Sequence, residues 1–303
     1  MSTLNCISLE IPLNPNDSCR LLLLNLFSYV ENPFTDKAKF NFDLFKSHAK
    51  KAQRLMDDLV DLEIEKLNKI IKKIESDPEP YDIKKVELEL WKKIRNKAVD
   101  GRRTGLGITA EGDMLAALNV TYGSKKAIEF SEEVHKCLAT YSYISSIEMA
   151  KERGAFPIWG YGKEMNSPFI NRVVSLMDEN TQYDYLGYGR RNIANLTIAP
   201  AGSVSILTQT TSGIEPVFLP FYKRRRKTDD PKKSVFKDEV GDMWEEYMVI
   251  HPKFKMWYEI NKMGFVGIDK KEIEDLTEDE LNEVFKLSPY YKSTSADVDY
   301  LGK

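Results

Sequence analysis

The sequence predicts a helix-rich α/β protein, and three observations carry that expectation. Apolar residues recur at helical spacing from Phe40 to about Ser76 and again from Lys125 to Arg153. An apolar run, Ile193 to Ala199, stops at Pro200 and reads as a central strand. Small and hydroxyl-bearing residues then open a short helix. With 303 residues, 42% of them hydrophobic and 30% charged, the chain can bury the core of one large α/β domain or two ordinary ones.

The elements follow in order. The N-terminal region is loop chemistry, with Cys6 and Cys19 flanking Pro12, Pro15 and Asn16. A short apolar strand or helix start runs from Leu21 to Val30 and closes at Asn32-Pro33. Leu44, Ala52, Leu55, Leu59, Leu62, Leu67, Ile70, Ile71 and Ile74 mark a long amphipathic helix, broken by Asp77-Pro78-Glu79-Pro80. A second helix is expected from Ile83 to Ala98. Gly101 to Ile108 reads as a glycine-punctuated turn or short strand, whose Arg102 and Arg103 either touch an anion or stand solvated in a tight turn. A helix from Glu111 to Leu118 is next, then Lys125–Arg153, capped by Ser124 and stopped by Gly154.

Past Lys227 the composition becomes charged and aromatic. Asp238 to Asn261 reads as a helix pair, its Trp244, Tyr247, Phe254, Trp257 and Tyr258 falling at helical spacing as core rather than as a base-stacking platform. Leu276–Lys286 is a helix capped by Thr277 with Glu280.

Charge and cysteine usage narrow the function classes. The 44 Lys and Arg against 47 Asp and Glu leave a net charge of −3, which gives no global attraction to nucleic acid or acidic membranes. The run Lys223-Arg224-Arg225-Arg226-Lys227 reads first as a solvated basic loop, with a nucleic-acid patch or a localisation signal as alternatives. No apolar run is long enough to span a bilayer, and MSTLNCISLE lacks the features of a signal peptide, so a cytoplasmic location is expected. Cys6, Cys19 and Cys137 form no metal-ligand spacing and no CxxC, and no metal is expected. Cys137 lies within a helix and reads as a small buried residue.

The densest chemistry lies between Gly189 and Phe218. Pro200, Ala201, Gly202, Ser203 and Val204 offer a helix N-terminus whose free backbone N–H groups grip phosphate without a lysine. Thr208, Thr210, Thr211, Ser212, Gly213 and Glu215 crowd the loop that follows. The competing reading is an ordinary turn with a Ser N-cap. Walker A and Gly-x-Gly-x-x-Gly motifs are absent.

Five segments, SLEIPLNPNDSCRLLLLNL, GRRTGLGITAEGDMLAALN, ERGAFPI, GRRNIANLTIAPAGSVSILTQTTSGIEPVFLPFYKRRRK and DEVGDMWEEY, together resemble the large catalytic chain of ribonucleotide reductases, most of all the adenosylcobalamin-dependent class. The resemblance runs from about Ser8 to Lys303, the middle-to-late part of the family. It implies part of a ten-stranded α/β barrel, with residues 1–227 supplying barrel strands and helices and 228–303 a helical, charged and aromatic periphery. It also implies thiyl-radical replacement of the ribose 2′-hydroxyl by hydrogen, adenosylcobalamin as cofactor, a ribonucleotide substrate and a thiol reductant such as thioredoxin.

The resemblance assigns Pro200 to Val204 to the substrate's phosphates, with Ala201 where the family has Thr. The family's catalytic loop reads Asn-Pro-Cys-x-Glu-Ile-Pro-Leu. Aligned on Glu10-Ile11-Pro12-Leu13, it gives Glu10 the general-base role and places Ser8 at the radical cysteine and Cys6 at the substrate-binding Asn; Cys6 becomes the catalytic radical cysteine only through a two-residue slip, which sets Glu10 two residues too far away. Ile7 and Leu9 complete that loop. A thiol gives up a hydrogen atom far more readily than an alcohol, so Ser8 cannot relay the radical. Cys19 falls at the family's second redox position, whose upstream partner cysteine is missing here.

The expectation is therefore a fragment or split-gene reductase chain, completed by a complementary chain that supplies the N-terminal part. The alternative is a catalytically inactive module that keeps the nucleotide-phosphate pocket. Direct nucleic-acid binding through Lys223 to Lys227 ranks third, against the acidic net charge.

Overall fold

The structure, a computed structural model, describes residue 11 and residues 13–297. In chain order these form β1 (Leu21–Asn25), a 3-10 turn at Leu26–Tyr29, β2 (Val30–Glu31), β3 (Lys39–Phe40), α1 (Phe42–Ser76), α2 (Tyr81–Gly101) and β4 (Gly105–Thr109). Then come α3 (Glu111–Ala117), α4 (Lys125–Arg153), α5 (Tyr161–Glu164), α6 (Pro168–Ser175), α7 (Glu179–Tyr188) and α8 (Gly202–Thr208). The last elements are β5 (Phe221–Lys227), β6 (Phe236–Lys237), β7 (Met243–Ile250), α9 (Pro252–Asn261) and α10 (Glu278–Lys286). They fall into two compact units, one drawn from Met1–Leu24, Asn41–Ile108 and Phe130–Ala201, the other from Asn25–Phe40, Thr109–Glu129 and Gly202–Lys303.

In the first unit α1 starts where the Asn41 side chain accepts from the Leu44 N–H, and it ends as Asp77 turns extended before Pro78. Phe45, Ala49, Ala52, Met56 and Val60 form its buried stripe. α2 folds back on it through Ile71, Ile74 and Leu88, with Ile70 and Trp91 alongside. α2 is longer than its periodicity predicts. It runs on to Gly101, and Arg102 closes it at φ 46 with its N–H bonded to the Ala98 carbonyl at 3.1 Å.

β4 pairs with β1 on one side and with the Ile193–Ala199 run on the other. The expected central strand is present there as a parallel bridge, Leu106 to Leu196. The Leu106 N–H donates to the Asn195 carbonyl (2.6 Å), and the Thr197 N–H to the Leu106 carbonyl (3.1 Å). All five β4 residues are buried, as a strand covered on both faces requires. Gly107 permits this closeness, since a Cβ there would lie 2.8 Å from both the Thr197 carbonyl oxygen and a Leu23 methyl. The second half of α4 packs Ala139, Tyr143 and Ile147 against Ile170, Val173, Met177 and Tyr185 of the α6–α7 region.

In the second unit the expected basic loop at Lys223–Lys227 is a strand. β5 pairs antiparallel with β7, from Phe221 opposite Ile250 to Lys227 opposite Trp244. Glu245 and Glu246 stand opposite Arg226 and Arg225 and form ion pairs with them, while Asp242 takes Lys227 and Glu278 takes Lys223. The expected helix pair over Asp238–Asn261 is likewise corrected: its first half is β7, with β6 paired at its edge, and only Pro252–Asn261 is helical. The opposite-charge match with β5 outweighs the helical spacing of the aromatics. Phe254, Trp257 and Tyr258 are core, as expected. α10 carries the full capping box of Thr277 and Glu280.

Candidate active site

Of the phosphate-loop candidates, Gly202, Ser203 and Val204 form the exposed start of α8 and Pro200 and Ala201 lead into it. Ala199 and Ala201 are buried on either side of exposed Pro200, which pins the chain so that α8 opens at the surface with Gly202, Ser203 and Val204 exposed. The first N–H groups of a helix have no intrahelical acceptor, and here they lie on exposed residues. The Ser205 hydroxyl is spent on the Gly202 carbonyl (2.7 Å). Gln209, at φ 54, ends α8, and the Thr210 N–H returns to the Ser205 carbonyl (3.1 Å). The side chain of Ala201 is buried.

The hydroxyls after α8 turn inward. Thr208 Oγ1 lies 2.7 Å from Thr210 Oγ1 and bonds the Val204 carbonyl at 3.1 Å. Thr210 and Thr211 are buried. The Thr211 N–H donates to the Asp113 carboxylate at 2.7 Å, and the Asp113 N–H donates back to Thr211 Oγ1 at 3.2 Å. Thr109 Oγ1 accepts from the Gly213 N–H at 3.2 Å, and the Gly213 carbonyl accepts from the Glu111 N–H at 3.3 Å. Gly112 lets the loop lie on α3, because a Cβ there would meet the Glu215 carbonyl oxygen at 2.8 Å. Glu215 stays exposed and Ser212 half-exposed.

Sequence reasoning missed the anchor itself. Asp113 is fully buried and also accepts from the Tyr290 hydroxyl and from His251 Nε2, both at 2.8 Å. Burial, and then the Asp113 charge, push the Tyr290 hydroxyl well above its ordinary pKa. The available signal was an aspartate directly before the apolar run Met114 to Leu118.

Cys19 is exposed and sits between two anchored neighbours. Asp17 accepts from Arg103 Nε at 2.7 Å, and Arg20 reaches both the Arg103 carbonyl (2.9 Å) and the Glu63 carboxylate (2.8 Å). A groove of about 630 Å³ runs past the thiol, with Glu63, Lys66 and Ile70 of α1 and Trp91 and Ile94 of α2 among its walls. Cys6, Ile7, Ser8, Leu9 and Glu10 lie outside the described residues.

Neither anion binding nor solvation describes Arg102 and Arg103 of the first Gly-Arg-Arg motif. Arg102 and Arg103 are buried, Arg103 on Asp17 and Arg102 on Asp57 (2.8 Å) and Asp61 (2.7 Å). Arg190 is buried on Glu164, and Arg191 reaches Asp57 at 3.3 Å. Burial alone would raise the Asp57 carboxyl, but Arg102, Arg191 and Asn192 outweigh it and hold its pKa below the ordinary value. Asp57, Asp58 and Asp61 are spaced as metal ligands, yet guanidinium groups of Arg102 and Arg153 already bridge all three.

Strand β4, bridged in parallel to the Ile193–Ala199 run and flanked by long helices, defines an α/β protein. The chain belongs to the ribonucleotide reductase barrel-domain family, whose sequence model matches residues 6–253. It is 31% identical over 209 residues to the vitamin B12-dependent ribonucleoside-diphosphate reductase of Thermoplasma acidophilum, covering 69% of this chain and 21% of that protein. It is 26% identical over 272 residues to the ribonucleoside-diphosphate reductase subunit alpha of Chlamydia pneumoniae, covering 81% and 23%. Among solved structures, the Actinobacillus ureae class Id ribonucleotide reductase alpha subunit superposes with a TM-score of 0.46 at 20% identity, over 92% of this chain and 40% of that one. The chain thus spans under a quarter of the length of these curated relatives. Among the described residues no helix is long and apolar enough to cross a membrane.

Proposed function

We propose that this chain is part of a ribonucleotide reductase and holds the phosphates of a ribonucleoside diphosphate at Pro200–Val204. The exposed N-terminus of α8, directly after the segment bridged to β4, carries this reading. Backbone N–H groups of Gly202, Ser203 and Val204 bind the anion, so the loss of the Thr hydroxyl at Ala201 is tolerated. Glu10 acts as general base. Cys19, as one thiol of a pair, supplies two electrons and two protons; the pair becomes a disulfide as the 2′-hydroxyl leaves as water. The radical cysteine and the second thiol come from the remaining reductase polypeptide, a complementary chain or a continuation of this one. A thioredoxin-like reductant then resets the disulfide, and a cytoplasmic setting suits that exchange.

The cofactor follows from the relatives alone, three of which are named vitamin B12-dependent. Among the described residues each histidine ring already has a partner. Of the three histidines, His251 Nε2 is taken by Asp113 and His135 Nδ1 by the Ser131 carbonyl, and His48 also holds a partner. No step is therefore routed through the cofactor.

The second reading, an inactive phosphate-binding module, is favoured by Ser8 at the radical position. One experiment separates the two. The chain is combined with the remaining reductase polypeptide, adenosylcobalamin and a dithiol, and deoxyribonucleotide is measured beside calorimetric binding of the ribonucleoside diphosphate. Product supports the reductase; binding without product leaves the inactive module; absence of binding removes both.

A further inference from the structure

A cavity of about 540 Å³ lies within the second unit, between the turn at residues 34–36, Asn119 just after α3, and the ends of α9 and α10 at Asn261 and Leu287. Its walls are tied together through the backbone. Phe34 stands at φ 63, a left-handed conformation that a bulky residue rarely adopts, and its N–H donates to the Ala117 carbonyl at 2.8 Å. Asn119 Nδ2 donates to the Thr35 carbonyl at 3.3 Å, and Asn261 Nδ2 to the Trp257 carbonyl at 2.9 Å. Both amides thus spend their donors on the frame of the cavity.

Their oxygens are left over. Among the described residues no hydrogen bond or ion pair reaches Asn119 Oδ1, Asn261 Oδ1 or the Asp36 carboxylate, and all three residues line the cavity. No lysine, arginine or histidine lines it; Lys37, next to Asp36 in sequence, is not among its walls. On the two helices, Lys262 is engaged by Glu259 at 2.6 Å and Lys286 by Glu283 at 2.7 Å. Both α9 and α10 end at the cavity, and the C-terminal end of a helix carries partial negative charge. Phe265 and Leu287 add apolar surface beside these oxygens.

We propose that this cavity binds a primary alkylammonium group, whose three N–H donors go to Asp36, Asn119 Oδ1 and Asn261 Oδ1 while its alkyl stem lies along Phe265 and Leu287. Free aliphatic amines and the lysine side chains of a polypeptide share this chemistry. Anions are selected against, because a carboxylate stands in the wall and no cation does. The contact is small and open to solvent, so binding falls at about millimolar concentration. The inference does not depend on the reductase reading.

Calorimetry of the full chain with n-pentylammonium chloride, up to about 20 mM at constant ionic strength, tests it. The expected result is saturation at one site, with no binding of the neutral analogue 1-pentanol. Asp36→Asn and Asn119→Gly each weaken binding about fivefold or more, the value of one hydrogen bond to a charged group. Glycine suits position 119 because Asn119 stands at φ 55. Asp229→Asn, at an exposed acid outside the cavity, leaves the affinity unchanged. Circular dichroism establishes that each variant is folded; should Asn119→Gly fail to fold, exposed Asp36 decides alone. N-acetyl-lysine methylamide separates the two sources: tighter binding than pentylammonium assigns the site to a polypeptide's lysine, weaker binding to a free amine. The proposal is overturned by heats that never saturate, by 1-pentanol binding equally well, or by a folded Asp36→Asn chain of unchanged affinity.

Discussion

The Asp113 carboxylate accepts the backbone N–H of Thr211 at 2.7 Å, and the Asp113 N–H answers to Thr211 Oγ1 at 3.2 Å. This reciprocal pair fixes the loop that follows α8 to the first turn of α3.

Removing the anchor should unfold more than the loop. Asp113→Ala leaves the Thr211 N–H, the Tyr290 hydroxyl and His251 Nε2 without their acceptor inside the protein. A loss of about 3 kcal/mol or more is expected, since buried donors left unsatisfied each cost 1–3 kcal/mol. Urea unfolding followed by near-ultraviolet circular dichroism measures it, and an unchanged midpoint would contradict the assigned role.

The Asp57 hub should make stability acid-sensitive. Its folded pKa lies below the ordinary 3.8. The charged form therefore contributes stability above that value, and the contribution is lost as pH falls through the folded pKa. Asp57→Asn should flatten the pH dependence of unfolding between about pH 5 and pH 1 and cost about 3 kcal/mol at neutral pH, by leaving Arg102 buried without its carboxylate. Urea midpoints across this range check both.

Gly107 and Gly162 should answer differently to alanine. At Gly107 the new Cβ meets the Thr197 carbonyl oxygen at 2.8 Å, whereas nothing lies within 4 Å at Gly162 in α5. Gly107→Ala is expected to destabilise by about 1–3 kcal/mol. Gly162→Ala should be neutral or stabilising by up to about 1 kcal/mol. Paired thermal melts compare them.

Ser203→Pro removes one N–H from the second residue of α8, where proline's fixed φ is still tolerated. If that donor holds phosphate, binding of a ribonucleoside diphosphate weakens by roughly 10- to 100-fold, the value of one hydrogen bond to a charged group. Equal affinities by calorimetry would remove the donor from the site.

The thiols should react in a fixed order. Burial pushes Cys137 up to about 11, while Cys19 is exposed. At about pH 8, iodoacetamide should alkylate Cys19 well before Cys137, because the thiolate is the reactive form. Peptide mass spectrometry reads the two sites separately.

Local rules made much of the fold legible. The Asn41 cap and the Asp77-Pro78 stop bound α1, Ser124 caps α4 and Gly154 follows it at φ 83, and Thr277 with Glu280 opens α10. Each is a short-range signal written in neighbouring residues. α5 to α7 were less legible, although Ser167 before Pro168 and Asp178 before Glu179 are caps in the same sense. The family was also readable, because its motifs stand in order along the chain.

Partners far apart in sequence decided the rest. Nothing near Lys223–Lys227 reveals that Glu245, Glu246, Asp242 and Glu278 will neutralise it and turn a basic run into a strand. Nothing near Gly101 or Gly189 shows that Arg102 and Arg191 will meet at Asp57 on α1. The sequence determined where α1, α4 and α10 begin and end, since capping and periodicity act over a few residues. Only the tertiary structure decided which charges are spent on the framework and which residues, Gly202, Ser203 and Val204, remain exposed at the start of α8, because burial and ion pairing depend on distances that folding alone sets.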